Sequence, residues 1–329
     1  MHAAAPSLSV VVPCYNEELV LDALHDRLAR VCDALAVDHE LVFINDGSKD
    51  ATWTKMTALA ARDPNMVCVN LSRNHGHQLA LTAGLSVCQG DQILIIDADL
   101  QDPPEALPEM LALMARERAD VVYGQRASRQ GETFFKRATA YLFYRALGWL
   151  ADAPIPQDTG DFRLMTRRVL DQFLSMPERH RFVRGMVSWL GYKQVPYLYE
   201  RHPRAAGETH YTIRKMVRFA GDAVTGFSVK PLALPLRVGG LCGAAAVVTT
   251  ALAGWWWVAH GEIPSVGLLA ALVLLLAGGQ FLTLGVIGEY LGRMYTEVRG
   301  RPLYVIEQVV RGQEAATLPV GERARREVA

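Results

Sequence analysis

Two aspartates two residues apart, Asp97 and Asp99, close the apolar run QILII within the segment IIDADLQD. On an extended chain, residues at that spacing point the same way, so both carboxylates can face one edge of a sheet. Hard oxygen donors in such a place suit Mg²⁺ or Mn²⁺, with water and diphosphate oxygens completing the octahedron. Acidic loop residues also cap helices, and Asp102 fits that plainer role, because Asp102-Pro103-Pro104-Glu105 reads as an N-cap with glutamate at the third helical position. Asp46, closing FIN before Gly47, is a further carboxylate able to accept a hydrogen bond from a base N–H or a ribose hydroxyl. It can equally be a turn residue, with Ser48 capping the next helix, and the two roles can coexist. Glu17 in PCYNEE can serve as Asp46 does, from the first loop.

These acids need elements to position them. Short apolar runs at residues 8–12, 40–45, 66–71, 92–96 and 119–123 alternate with helix-length stretches at 23–35, 51–62 and 78–87. Such alternation predicts an α/β fold with a mostly parallel sheet and helices on both faces. Ligands in these sheets sit beyond the carboxyl ends of the strands, where the loops here read PCYNEE, DGSKD, SRNHGH and DADLQD. No G-x-G-x-x-G follows the first strand, which excludes a dinucleotide oxidoreductase of the usual kind.

Charge is balanced, with 34 basic and 34 acidic residues, so nothing in it calls for nucleic acid. Five scattered cysteines without metal-ligand spacing read as buried, reduced thiols. The start of the chain lacks the pattern of a secretion signal, which places the catalytic part in the cytoplasm. Residues 238–259 and 266–288 are almost free of charge, and each is long enough to cross a hydrocarbon core. The connector HGEIPS carries no Lys or Arg, whereas Lys230 and Arg237 precede the first stretch and Arg293, Arg299 and Arg301 follow the second. Basic flanks on that side predict two spans with both termini cytoplasmic. Residues 212–228 place apolar side chains on one helical face and basic ones largely off it, the pattern of an interfacial helix. Residues 137–150 form an aromatic-rich helix too short to span, and the tail from about Gln313 reads as disordered.

The succession VVPCYNEE, FINDGSKDAT, SRNHGHQLALTAGL and IDADLQDPPE resembles the family 2 glycosyltransferases of GT-A fold. Within them it is similar to the polyprenyl-phosphate group, which includes dolichol-phosphate mannose synthases and bacterial undecaprenyl-phosphate glucosyl- and aminoarabinosyl-type transferases. The likeness runs from about Leu8 to Ile306 and takes in YGQR, DTGDFRL, PLALPLR and EVRGRP. With the patterns above, the resemblance implies a cytoplasmic GT-A nucleotide-sugar-binding domain over residues 1–211 and an interfacial helix and linker over 212–236. Two transmembrane helices then occupy 237–292, and a cytoplasmic C-terminal segment 293–329 follows. It implies Pro13, Tyr15, Glu17 and Asp46 in the nucleotide site, Asp97 near the diphosphate, and Asp99 and Gln101, beside Asp97, on the metal. Arg126, Arg137 and Arg204 match arginines of the acceptor-phosphate region, with Thr209 and His210 nearby. There many relatives have G-x-S-K-Y and this chain has Gly-Glu-Thr-His-Tyr, so His210 replaces a fixed charge with a titratable one.

The implied reaction is an inverting transfer of a sugar from a nucleotide-sugar, UDP-linked by default, to polyprenyl phosphate at the inner membrane. Asp158 and Asp161 are both candidates to orient the acceptor, and spacing does not choose between them. Related enzymes assemble, and Gly239, Gly240, Gly243, Gly278 and Gly279 permit close packing of spans, so a homo-oligomer such as a tetramer is expected. The rivals are a GDP-mannose-using dolichol-type synthase, a non-catalytic nucleotide-sugar-binding scaffold, and a processive synthase, whose Q-x-x-R-W motif is absent.

Overall fold

The computed structural model describes residues 7–126, 159–179, 181–200 and 266–312, with parts of 239–261. The expected helices at 137–150 and 212–228 and the tail from Gln313 lie outside the described residues. The chain divides into two compact units, one built from residues 1–144, 153–212 and 302–329, the other from 145–152 and 213–301.

The first unit is an eight-stranded sheet. Its strands are β1 (Leu8–Cys14), β2 (His39–Asn45), β3 (Met66–Leu71), β4 (Gln92–Ile95), β5 (Val121–Arg126), β6 (Thr159–Thr166), β7 (Gln194–Tyr199) and β8 (Ile306–Arg311). They lie in the order β7-β5-β6-β4-β1-β2-β3-β8. The four central strands are mutually parallel, β5 and β7 pair in parallel, and β6 and β8 run antiparallel to their neighbours. All seven residues of β1 and six of the seven of β2 are buried, as strands covered on both faces must be. Pro13 is tolerated inside β1 because pairing with β4 stops at Val11, leaving that side of the strand without a ladder.

Helices α1 (Leu21–Leu35), α2 (Thr52–Ala60) and α4 (Leu107–Glu117) cover one face, where Leu24, Leu28, Met56 and Met110 pack with Val10, Val12 and Phe43. In α1 the buried set Leu21, Leu24, Leu28 and Cys32 is a single stripe at helical spacing. Helix α3 (His77–Val87) covers the other face so closely that a Cβ on Gly84 would lie 2.4 Å from Ile44 Cδ1 and 2.7 Å from Val11 Cγ1. Helices α5 (Arg167–Ser175) and α6 (Val183–Trp189) follow β6.

Strand β8 was not expected. Its sequence, IEQVVR, is short and mixed, and it pairs antiparallel with β3, more than 230 residues earlier in the chain. In the second unit, α7 (Val266–Val298) is a single helix of 33 residues, about 50 Å at 1.5 Å per residue. Among the fully described residues no helix is both long and apolar enough to cross a membrane. Side chains at several positions of α7 fall outside that set, so the two-span expectation rests on the amino-acid sequence alone.

Ending the chain after Arg301 removes β8 and leaves β3 as an unpaired edge, whereas ending it after Gly312 keeps β8. The shorter chain should melt at lower temperature and scatter more light on concentration than the longer one. Equal melting and scattering would show that β8 is dispensable.

Candidate active site

The loops after the four central strands meet in one cleft of about 240 Å³. It is lined by Pro13 and Cys14 at the end of β1 with Tyr15 and Glu17 of the loop that follows, Asp46 from the second loop, Asn74 and Gly76 from the third with His77 and Ala80 of α3, and Asp97, Ala98 and Asp99 from the fourth. The first two loops are stapled together: Glu17 N–H donates to Thr52 Oγ1 at 2.9 Å and Ala51 N–H to Glu18 Oε2 at 2.8 Å.

Asp46 ties the second loop to the third. Its Oδ1 accepts from His75 N–H at 2.7 Å and its Oδ2 from Gly76 N–H at 2.9 Å. Burial pushes its pKa up, and these two amides oppose the rise. Gly47 makes the approach possible, since it sits at φ +62° and a Cβ there would lie 2.4 Å from Asn74 N. Ser48 is not a helix cap. α2 begins at Thr52, whose N–H donates to Asp50 Oδ1, while Ser48 Oγ accepts from Asn16 N–H.

At the end of β4 the backbone turns through Leu100 in the left-handed region, φ 58°, and Gln101 N–H donates to Asp99 Oδ1 at 3.1 Å. A bulky residue there is uncommon and marks a turn held by its surroundings. Asp97 Oδ1 is buried and accepts no hydrogen bond, with His77 Nε2 at 3.6 Å. Burial pushes Asp97 up to about 6; His77 opposes this, and Asp161, Asp102 and Asp99 add to it. An under-satisfied buried oxygen beside a second acid fits a divalent cation, so Asp97 and Asp99 are the residues that would hold one. Among the described residues no group of three or more His, Cys, Asp or Glu gathers for a metal, so water or substrate oxygens would complete the shell.

Asp102 does not cap a helix. The helical turn begins at Pro104, and the side chain is buried, accepting from the Tyr199 hydroxyl. The cap position falls instead on Pro103, whose side chain has no polar atom to offer.

Behind the cleft, Asp161 on β6 is 3 % exposed. Its Oδ2 accepts from His77 Nε2 at 3.1 Å and Gln78 Nε2 at 2.8 Å, and its Oδ1 from Arg184 Nε on α6 at 2.9 Å. Burial opposes its charge, yet Arg184, His77 and Arg163 outweigh burial and hold its pKa well below the carboxylate range. Burial likewise works against a charged His77, but Asp161 and Asp97 prevail and lift it to about 9. The His77 ring is 43 % exposed, so water screens part of that attraction. No strand end marks Gln78 and Arg184 in the sequence, because both sit in the first turns of helices, α3 and α6.

The structure thus brings Pro13, Tyr15, Glu17, Asp46, Asp97 and Asp99 to one cleft, with Gln101 bound to the last of them and Asp161 behind. Arg126 ends β5, but its side chain lies outside the described residues, as do Arg137, Asp158, Arg204, Thr209 and His210.

The mostly parallel sheet, with acids at the carboxyl ends of its strands, is an α/β fold of GT-A-like type. The chain belongs to glycosyl transferase family 2, whose pattern matches residues 9–174. It is 45 % identical over 301 residues to the uncharacterized glycosyltransferase YkcC of Bacillus subtilis, covering 91 % of this chain and 93 % of that one. It is also 37 % identical over 303 residues to the prophage bactoprenol glucosyl transferase homolog of Escherichia coli, covering 92 % and 99 %. Among solved structures, mannosyl-3-phosphoglycerate synthase from Rubrobacter xylanophilus aligns with a TM-score of 0.46 at 19 % identity, over 67 % of this chain and 72 % of that one.

Because the folded pKa of His77 is raised, its contribution to stability is complete below about 6.5 and is lost as pH climbs through about 9. Asp161, with a depressed pKa, loses its contribution only in acid. In chelator-treated protein the melting temperature should therefore fall from pH 7.5 to 9.5 more steeply for the wild type than for His77→Gln. Parallel curves for the two proteins would remove His77 from the charge balance.

Proposed function

We propose that this chain transfers a sugar from a UDP-linked donor to polyprenyl phosphate, undecaprenyl phosphate in a bacterial membrane, with inversion at the anomeric carbon. The observation that carries this reading is the convergence of Asp46, from the end of β2, and of Asp97 and Asp99, from the end of β4, on one cleft. The likeness to proteins named bactoprenol glucosyl transferase, which extends over nearly the whole of both chains, supports the acceptor class.

In the proposed reaction an acceptor phosphate oxygen bonds to the anomeric carbon as the bond from that carbon to the nucleoside diphosphate breaks. A phosphate monoester has a second pKa near 6, so it arrives mostly ionised and needs little help from a base. Catalysis then consists of holding two anionic reactants in line and meeting the charge of the leaving group. Pro13, Tyr15, Glu17 and Asp46 hold the nucleotide. Asp97 and Asp99, with Gln101, hold Mg²⁺ or Mn²⁺, which when bound neutralises charge on the diphosphate. Arg126, Arg137 and Arg204, with Thr209 and His210, hold the acceptor phosphate, a task suited to the fixed charge and forked donors of arginine. Asp158 and Asp161 are the two candidates for the acid that orients it.

The acceptor's lipid tail requires a membrane site. In this reading residues 237–292 form two spans in the inner membrane, the catalytic domain and both termini are cytoplasmic, and spans of several copies pack together. The charge-free sequence of residues 266–288 supports this, as do the exposed apolar side chains of α7, among them Leu269, Phe281 and Leu284 at 61–75 % exposure.

Asp99→Asn should lower transfer of a UDP-sugar to undecaprenyl phosphate at least about 100-fold while the melting temperature stays near wild type. Turnover at the wild-type rate in excess Mg²⁺ would remove Asp99 from the metal site. A tag inserted between His260 and Ser265 should be reached only from the side opposite the termini, and labelling from the cytoplasm would refute the two-span arrangement.

A further inference from the structure

Strand β8 is linked to the first loop of the cleft through a run of side-chain hydrogen bonds. Asn45 and Asn70 lie opposite one another at the ends of β2 and β3, and Asn45 Nδ2 donates to Asn70 Oδ1 at 2.7 Å. Asn70 Nδ2 in turn donates to Glu307 Oε2 of β8 at 3.0 Å. The β3–β8 register slips at this point: Asn70 pairs with Gln308 and Leu71 with Ile306, leaving Glu307 unpaired. A bulge of this kind re-aims a side chain, here onto a neighbouring amide. At the other end, Asn45 Oδ1 accepts from Ser48 N–H at 3.1 Å, and Ser48 Oγ accepts from Asn16 N–H at 3.0 Å. Asn16 adopts φ 55° and its Oδ1 accepts from Lys49 N–H at 2.8 Å, which locks the loop that carries Tyr15 and Glu17 into the cleft.

We infer that Glu307, Asn70, Asn45 and Asn16 are positioning residues for the donor: the relay sets the height of the first loop, and β8 supports the nucleotide site from outside the cleft. None of them lines the cleft, so each acts through Tyr15 and Glu17. The inference rests on the reading of this cleft as a nucleotide-sugar site. Carboxamides suit the role because each both donates and accepts, so Asn45 and Asn70 can pass a hydrogen bond along from Glu307 toward the first loop.

The test uses the full chain in detergent micelles, with UDP binding in Mn²⁺ measured by calorimetry and separate KM values for UDP-sugar and undecaprenyl phosphate. Asn70→Ala should weaken UDP binding about 5-fold, the equivalent of one ordinary hydrogen bond, and leave the acceptor KM unchanged. Glu307→Ala, at an exposed residue whose loss leaves the core intact, should weaken it about 2-fold. Glu307→Gln keeps an oxygen for Asn70 and should bind as wild type does. Combining Asn70→Ala with Asn16→Ala should cost less than the product of the two single losses, because both interrupt one relay. Wild-type affinity in Asn70→Ala and Glu307→Ala, full multiplicativity in the double variant, or an equal rise in both KM values would overturn the inference. A wild-type chain that binds neither UDP nor GDP would overturn the donor reading itself, and this inference with it.

Discussion

Two backbone amides of one loop, those of His75 and Gly76, converge on the two oxygens of Asp46. Much of the cleft depends on that arrangement. It holds the connection between β3 and α3 against the end of β2, bringing Asn74, Gly76 and His77 into the wall. It also requires a backbone-to-backbone approach at Gly47 that no side chain permits. The cost is a carboxylate 3 % exposed to water, and charge-assisted bonds from the amides are what make so buried a group tolerable.

The second constraint is charge. Asp97, Asp99, Asp102 and Asp161 crowd the end of the sheet, answered by His77, Arg163 and Arg184. Asp161 is satisfied by three partners, Asp102 by the Tyr199 hydroxyl, and Asp99 by its own turn, whereas Asp97 keeps an oxygen without a donor. The imbalance falls beside the cleft, where the proposed cation and diphosphate meet. Arg163 is 3 % exposed, and burial lowers its pKa to about 10 against the pull of Asp161. Electrostatic interactions in such surroundings are stronger than in water, which suits stabilisation of a leaving group.

What the sequence determined by itself is the local frame. Apolar runs marked the parallel strands to within two or three residues, from β1 to β5, because a strand buried on both faces must be apolar throughout. Acids at the ends of those runs marked the cleft, because the topology of parallel sheets sends every strand end to one edge. The tertiary structure decided the rest, since its causes lie far apart in the chain. Asp102 and Ser48 look like caps to any local reading, but Tyr199, 97 residues on, claims the first, and Asn16, 32 residues back, claims the second. Nothing in DTGDFRL shows that Asp161 is enclosed by His77, Gln78 and Arg184. Nor does IEQVVR announce an edge strand, because its partner β3 supplies the hydrogen bonds that its own composition does not demand.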